Sequence, residues 1–168
     1  AREETLTRVV HWGDSAIGLG GITGSIRRRM QARFGDGGHG FHLIAPPNNS
    51  YRHYDVRFTH NEEWEQCFII RKCKKDGRYG LGGATAWSYG GAESTFALST
   101  KRTSGKISRF AVYYLAGPKT GKIKLRVDRE AWQTIDTKTE DETEEDRVHV
   151  LDLSDEPHKV TVRAGGGG

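Results

Sequence analysis

Lys122-Ile123-Lys124-Leu125-Arg126-Val127-Asp128 alternates polar and apolar residues without a break. A period of two puts Ile123, Leu125 and Val127 on one face of a strand and the cations on the other. The same alternation runs through His158-Lys159-Val160-Thr161-Val162-Arg163. Phe110, Val112 and Tyr114 mark a third strand, Phe96 and Leu98 a fourth, Val148 and Val150 a fifth. Turn residues separate them at Asp76-Gly77, Ser88-Tyr89-Gly90-Gly91, Ser104-Gly105, 117–121 and Asp155-Glu156-Pro157. From about Tyr51 onward no helical period interrupts the pattern. Short strands punctuated by turns predict an antiparallel β-sandwich there.

Toward the N-terminus the character changes. Leu6-Thr7-Arg8-Val9-Val10-His11-Trp12 reads as a short strand that runs into Gly13-Asp14-Ser15 and the glycine-rich stretch 18–21. Ile22, Ile26, Met30 and Phe34 then recur every four residues, while Arg27, Arg28, Arg29, Gln31 and Arg33 face elsewhere. That period predicts a helix, and Gly35 stands where a C-terminal cap belongs. Strand, loop and helix form the opening unit of an α/β sheet. Residues 35–50, rich in Gly, His, Pro and Asn, read as a loop or linker.

Glycine supplies 22 of the 168 residues and proline only 4, with no G-X-Y period. Aromatics at 10% argue against a mostly disordered chain, and no apolar run approaches the roughly 20 residues of a membrane span. Charge is unevenly spread: thirteen Lys/Arg face two acids over 71–126, and five face twelve over 127–163. The basic stretch could attract a polyanion. The plainer reading is a solvated basic face balanced by an acidic one, with no nucleic-acid signature to favour otherwise. The run Glu140-Asp141-Glu142-Thr143-Glu144-Glu145-Asp146 predicts a solvated loop. Cys67 and Cys73 do not match a zinc pattern. They fit either a disulfide across a tight turn or buried free thiols.

Gly13-Asp14-Ser15 between a strand and a helix is the main chemical clue. Open α/β sheets build sites at the carboxyl ends of their strands, and helix N-termini offer N–H groups to an oxyanion. A serine nucleophile also needs a base, usually histidine, held by a carboxylate. The tripeptide alone is weak, because Ser or Asp at a helix entry is commonly only a cap.

The wider context is stronger. His11-Trp12-Gly13-Asp14-Ser15 is followed by the glycines at 18–21 and then by Arg27-x-x-x-Gln31-x-Arg33-Phe34-Gly35-Asp36-Gly37-Gly38-x-Gly40-Phe41. This resembles the first block of the SGNH/GDSL hydrolases over about residues 6–45. It is most similar to the peptidoglycan O-acetylesterase branch, in which a jelly-roll, carbohydrate-binding-module-like β-sandwich is inserted. The stretches 109–118, 127–134 and 155–164 resemble that insert. The resemblance implies a flavodoxin-like hydrolase start over 1–45, the inserted module over 46–164, and a glycine linker or chain break over 165–168. It implies Ser15 as nucleophile with Asp14 beside it, acyl groups of a glycan as substrate, and an extracellular or cell-envelope location. No cofactor, metal or nucleic-acid partner is expected.

The family's later blocks do not carry over. No G-x-N-D occurs, so the rest of the hydrolase domain is expected as a missing partner. Asp155-Glu156-Pro157-His158 has D-x-x-H spacing but precedes an alternating strand, so it reads as turn and strand rather than as a catalytic dyad. His11, His39, His42, His53 and His60 show no metal-ligand spacing and read as loop and surface histidines. In the β region, Trp87, Tyr89 and Trp132 are the candidates to stack on sugar rings, with Trp87 and Tyr89 preferred. The rival readings are a non-catalytic glycan-binding or structural module, and a basic adhesin for polyanions.

Overall fold

The computed structural model describes residues 5–18, 20–73, 76–101 and 105–166. Leu19 of the glycine-rich stretch, Ser104 of one expected turn, and Gly167 and Gly168 of the tail lie outside the described residues.

The described residues are mostly β, with antiparallel strand pairs. The nine strands are β1 (Val56–His60), β2 (Glu65–Phe68), β3 (Ala84–Trp87), β4 (Glu93–Leu98), β5 (Lys106–Ala116), β6 (Lys122–Val127), β7 (Gln133–Asp136), β8 (Glu145–Pro157) and β9 (Lys159–Ala164). Five of them form one sheet in the order β1-β4-β9-β6-β7. β5 and β8 pair as a long ribbon, and β2 and β3 as a short hairpin. All five strands expected from alternation are present.

The alternation decides which face is buried. Phe96, Leu125, Val127, Ile135, Val160 and Val162 point to one side of the sheet, where Val112 of β5 and Leu151 of β8 meet them. Two β layers therefore share one core, as expected for a sandwich in the coarse sense. Leu125 and Val160 have no exposed surface. Burying one such aliphatic side chain stabilises the fold by roughly 2 kcal/mol. The acidic run at 140–146 is exposed along its length. Its last two residues, Glu145 and Asp146, already belong to β8.

Cys67 and Cys73 are joined in a disulfide that ties β2 to the turn after it, with Cα atoms 5.9 Å apart. Cys67 is fully buried against β3. A crosslink closing so short a loop stabilises by roughly 2 kcal/mol through the unfolded chain. The double variant Cys67→Ala, Cys73→Ala should lose about that much, read from urea midpoints. An unchanged midpoint would mean that the crosslink constrains nothing the fold does not already hold.

The N-terminal segment departs from expectation. Residues 6–12 form no strand, because no described segment offers them a hydrogen-bonded partner. The helix is present as α2 (Gly21–Phe34), preceded by the short α1 (Ser15–Gly18). Gly35 caps α2 at φ 103°, a conformation that excludes side chains, and its N–H donates to Gln31 O at 2.9 Å. The helix, however, turns its arginine side to the β layers. Ile22, Ile26, Met30 and Phe34 are all exposed, Phe34 by 73%. Arg27 and Arg28 instead reach Asp55, which is buried to 1%. A buried carboxylate needs cations, and that need sets the face presented.

Candidate functional site

Ser15 opens α1 and is exposed, as is Asp14. The Ile17 N–H closes the turn on Asp14 O at 3.2 Å. The long helix α2 begins only at Gly21, after Gly20 takes φ 72° and breaks the path between the two helices. Its N-terminal N–H groups therefore start six residues beyond Ser15, and the expected helix-end support for an oxyanion does not reach it. Among the described residues no hydrogen bond joins Ser15 to a histidine, and His11 is exposed.

His158 finds a carboxylate, but not the one four-residue spacing offered. Its Nδ1 lies 2.7 Å from Oδ2 of Asp128, at the turn after β6. Asp155 bonds Lys106 at 3.0 Å instead. Asp128 holds φ 50°, and its Oδ1 accepts the Lys159 N–H at 2.8 Å. His158 Nε2 stands 3.1 Å from both Oγ and the carbonyl oxygen of Ser154. The order Ser–His–Asp has a nucleophile's outline, but the carbonyl requires an N–H where a general base would offer its lone pair. The Asp128 bond, assisted by the Ser154 carbonyl, holds the His158 pKa above its ordinary value. The trio thus latches the β8–β9 hairpin to the β6–β7 turn.

The chemically distinctive cluster is made of histidines. His39, His42 and His53 come together at the edge of the core, against the expectation of surface histidines. His39 Nε2 and His53 Nδ1 are 3.1 Å apart. The His42 ring lies 4.5 Å from His53, 4.7 Å from Phe58 and 5.3 Å from Phe96. The Tyr51 ring packs against His42 and His53, and its hydroxyl accepts the Leu43 N–H, 2.9 Å away. Burial, with Arg27 close by, pushes the His39 pKa down to about 3 and, with His42 also near, that of His53 down to about 4. Burial likewise lowers that of His42. The three rings are neutral at neutral pH. Beside them Asp55 receives Arg27 at 2.6 Å and Arg28 at 3.0 Å. This junction fixes α2 and the loop 39–45 onto β1 and β4; Ser94 Oγ adds a bond to Ile44 O. Among the described residues no group of three or more His, Cys, Asp or Glu side chains is placed to hold a metal ion.

The three aromatic candidates occupy different settings. Trp87 ends β3 opposite Glu65 and is half-buried. Tyr89 is 81% exposed on the turn after it, where Ser88 Oγ accepts the Gly90 N–H at 3.1 Å. Trp132 is half-buried, with the guanidinium carbons of Arg126 and Arg163 at 4.5 and 4.4 Å from its ring. Trp87 ends β3 of the short β2–β3 hairpin, whereas Trp132 lies in the loop between β6 and β7 of the five-stranded sheet, so different elements carry the two rings.

Spacing could not have found the histidine cluster, because its rings come from loop positions 39, 42 and 53 that only the fold collects. The one available signal was the density of histidine before residue 60.

No family model matches the chain, and no curated protein matches it. A solved structure of a peptidoglycan O-acetylesterase is similar to it, at 23% sequence identity and a TM-score of 0.48, over 91% of this chain and 42% of that one. The chain spans less than half the length of that enzyme.

Proposed function

We propose that the chain is the nucleophile-bearing part of a serine ester hydrolase that removes acyl groups from a glycan, with the β layers positioning the glycan. The observation that carries this reading is the sequence from His11 to Phe41, in which an exposed Ser15 sits on a G-D-S turn before a long helix. Ser15 Oγ would attack the acyl carbonyl, the alcohol of the glycan would leave, and water would release the acyl-enzyme. Asp14 stands beside it as the family pattern has it.

One further observation supports a hydrolase start, drawn over 1–45, beside a glycan module over 46–164, and a second bears on where the two meet. The apolar stripe Ile22, Ile26, Met30 and Phe34 is uncovered, together with Val9, Val10 and Trp12, 83% exposed. An α/β sheet is the kind of surface that covers such a helix. Ile44 and Ala45, by contrast, already belong to the β side: Ile44 packs on its core and Ala45 is buried. The disulfide and the glycan substrate favour an extracellular or envelope setting. No described helix is long and apolar enough to cross a membrane.

Because no histidine bonds Ser15, the base must come from elsewhere, and this chain alone should hydrolyse acetyl esters negligibly. In a longer form that supplies the base, a fluorophosphonate should label Ser15, and Ser15→Ala should abolish both labelling and turnover. Undiminished deacetylation after Ser15→Ala would discard the reading. A second reading, a non-catalytic glycan-binding module, is favoured by the same missing base and by the outward Tyr89. It predicts glycan binding with no labelling in any form.

A further inference from the structure

The outer face of the five-stranded sheet, away from the core, is where the charge gathers. Register places Thr59 opposite Thr95, Thr95 opposite Thr161, and Thr161 opposite Arg126. Arg163 and Lys124 form the next pair on that face. Thr95 and Thr161 share a hydroxyl–hydroxyl bond of 3.2 Å, and long basic neighbours leave Thr161 only 2% exposed.

Two open grooves lie on this face. One, of about 510 Å³, runs over Thr59, Asn61, Glu93, Thr95 and Arg163. The other, of about 460 Å³, runs over Arg57, Thr95, Ala97, His158 and Lys159. Thr59 and Thr95 line both, so the grooves meet and form a single trough along β4. From Glu93 to Leu98 the strand covers about 17 Å. The acids in the trough are already matched: Glu93 by Arg163 at 2.6 Å, and Asp128 by His158 at 2.7 Å. Among the described residues, Arg57 forms no ion pair with a carboxylate and reaches the Leu98 carbonyl at 3.4 Å; Lys159 lies close enough to Asp128 to share that carboxylate's charge with His158. Arg57, Lys159 and Arg163 thus outnumber Glu93 and Asp128 along the trough, beside a row of hydroxyls and with Trp132 against Arg163 at its side.

We propose that this trough binds a carboxylate-bearing glycan strand, with Arg57 and Lys159 meeting its carboxylates and Thr59 and Thr95 its hydroxyls. The proposal rests on the reading of the β layers as a glycan-positioning module and names the ligand class and the face. Thr hydroxyls serve as donor and acceptor at once, which suits sugar hydroxyls; a linear anion suits a trough open at both ends. Arg57 and Lys159 come from β1 and β9, just over a hundred residues apart, and neither belongs to the basic stretch 71–126.

The test is a titration of the full chain, followed by amide NMR shifts, with three probes. These are the tetramer of galacturonic acid, its neutral methyl ester, and a single-stranded DNA oligomer of equal charge. The acidic tetramer should perturb Thr59, Thr95, Thr161 and Arg163, bind more weakly as salt rises, and bind at least about tenfold more weakly to Arg57→Ala, Lys159→Ala. Arg29→Ala on the exposed side of α2 should bind as the parent does, and a dispersed spectrum of each variant verifies folding. Equal binding of the neutral ester in the trough overturns the charge claim and leaves the glycan reading standing. Glycan shifts centred on Trp87 overturn the trough and leave that reading standing as well. No binding of either tetramer overturns both, and DNA binding equal to or tighter than the acid tetramer's overturns the ligand class.

Discussion

Between pH 7 and pH 5 the protein should lose several kcal/mol of stability. His39 and His53 titrate near 3 and 4 when folded, against 6.5 when free. Between those values the unfolded chain binds more protons than the folded one, so stability falls as pH falls. The loss begins near pH 7, continues down to about 3, and is absent above 7. At pH 5 each ring contributes roughly 2 kcal/mol of it. Arg27 faces the rings and opposes their protonation, while Asp55 favours it. His158 acts in the other direction: its raised pKa adds stability below 6.5 that is lost as pH rises through the folded value. Urea midpoints at pH 7 and 5 measure the balance. The parent should drop, and His39→Gln, His53→Gln should drop much less. Equal midpoints for the parent at the two pH values would show that the rings are solvated and not a neutral buried cluster.

Removing both guanidiniums from Asp55 should cost about 3 kcal/mol at pH 7. Asp55 is 1% exposed and Arg27 and Arg28 are its two cations, so Arg27→Ala, Arg28→Ala strands a buried carboxylate. Its Oδ1 already has no hydrogen-bond partner among the described residues. Each arginine alone should cost far less, because the other remains and both are partly exposed. Adding Asp55→Asn to the double variant should return about half the loss, since the amide removes the charge but not the buried polar group. If the double variant unfolds at the parent's midpoint, α2 is not held to the β layers through this acid. Faster amide exchange confined to 21–34 in the double variant would mark the helix as the element released.

The strands that were legible in the sequence share one property. β4, β5, β6 and β8 each turn one face to the core and the other outward, and β9 alternates apolar and polar residues although Thr161 on its outer face is buried too; either way a period of two is written along the chain. β3 and β2 have only four residues each, and Ala84–Trp87 is half-buried throughout, so no alternation marks it. β7, Gln133–Asp136, buries a single residue, Ile135. The helix period was equally plain, but its orientation was not. Periodicity says which residues share a face; it does not say what the face will meet. The stripe that looked like a core face is exposed, and the arginines that looked solvated hold the helix in place.

The candidate site divides in the same way. The G-D-S turn and its flanking glycines are local, and a local motif survives in the sequence alone. The partner of His158 is not local: spacing offered Asp155, and the fold supplied Asp128, thirty residues away across a turn. Nor are the three neutral histidines, or the trough whose cations come from β1 and β9.

By itself, then, the sequence determined the β-rich class, the faces of five strands, one helix and a serine on a turn, because each depends on neighbours within a few residues. Only the tertiary structure decided which carboxylate each cation meets, which histidines lose their water and where the positive charge concentrates. Those outcomes depend on desolvation and on Coulomb attraction between residues far apart in the chain, and no periodicity records either.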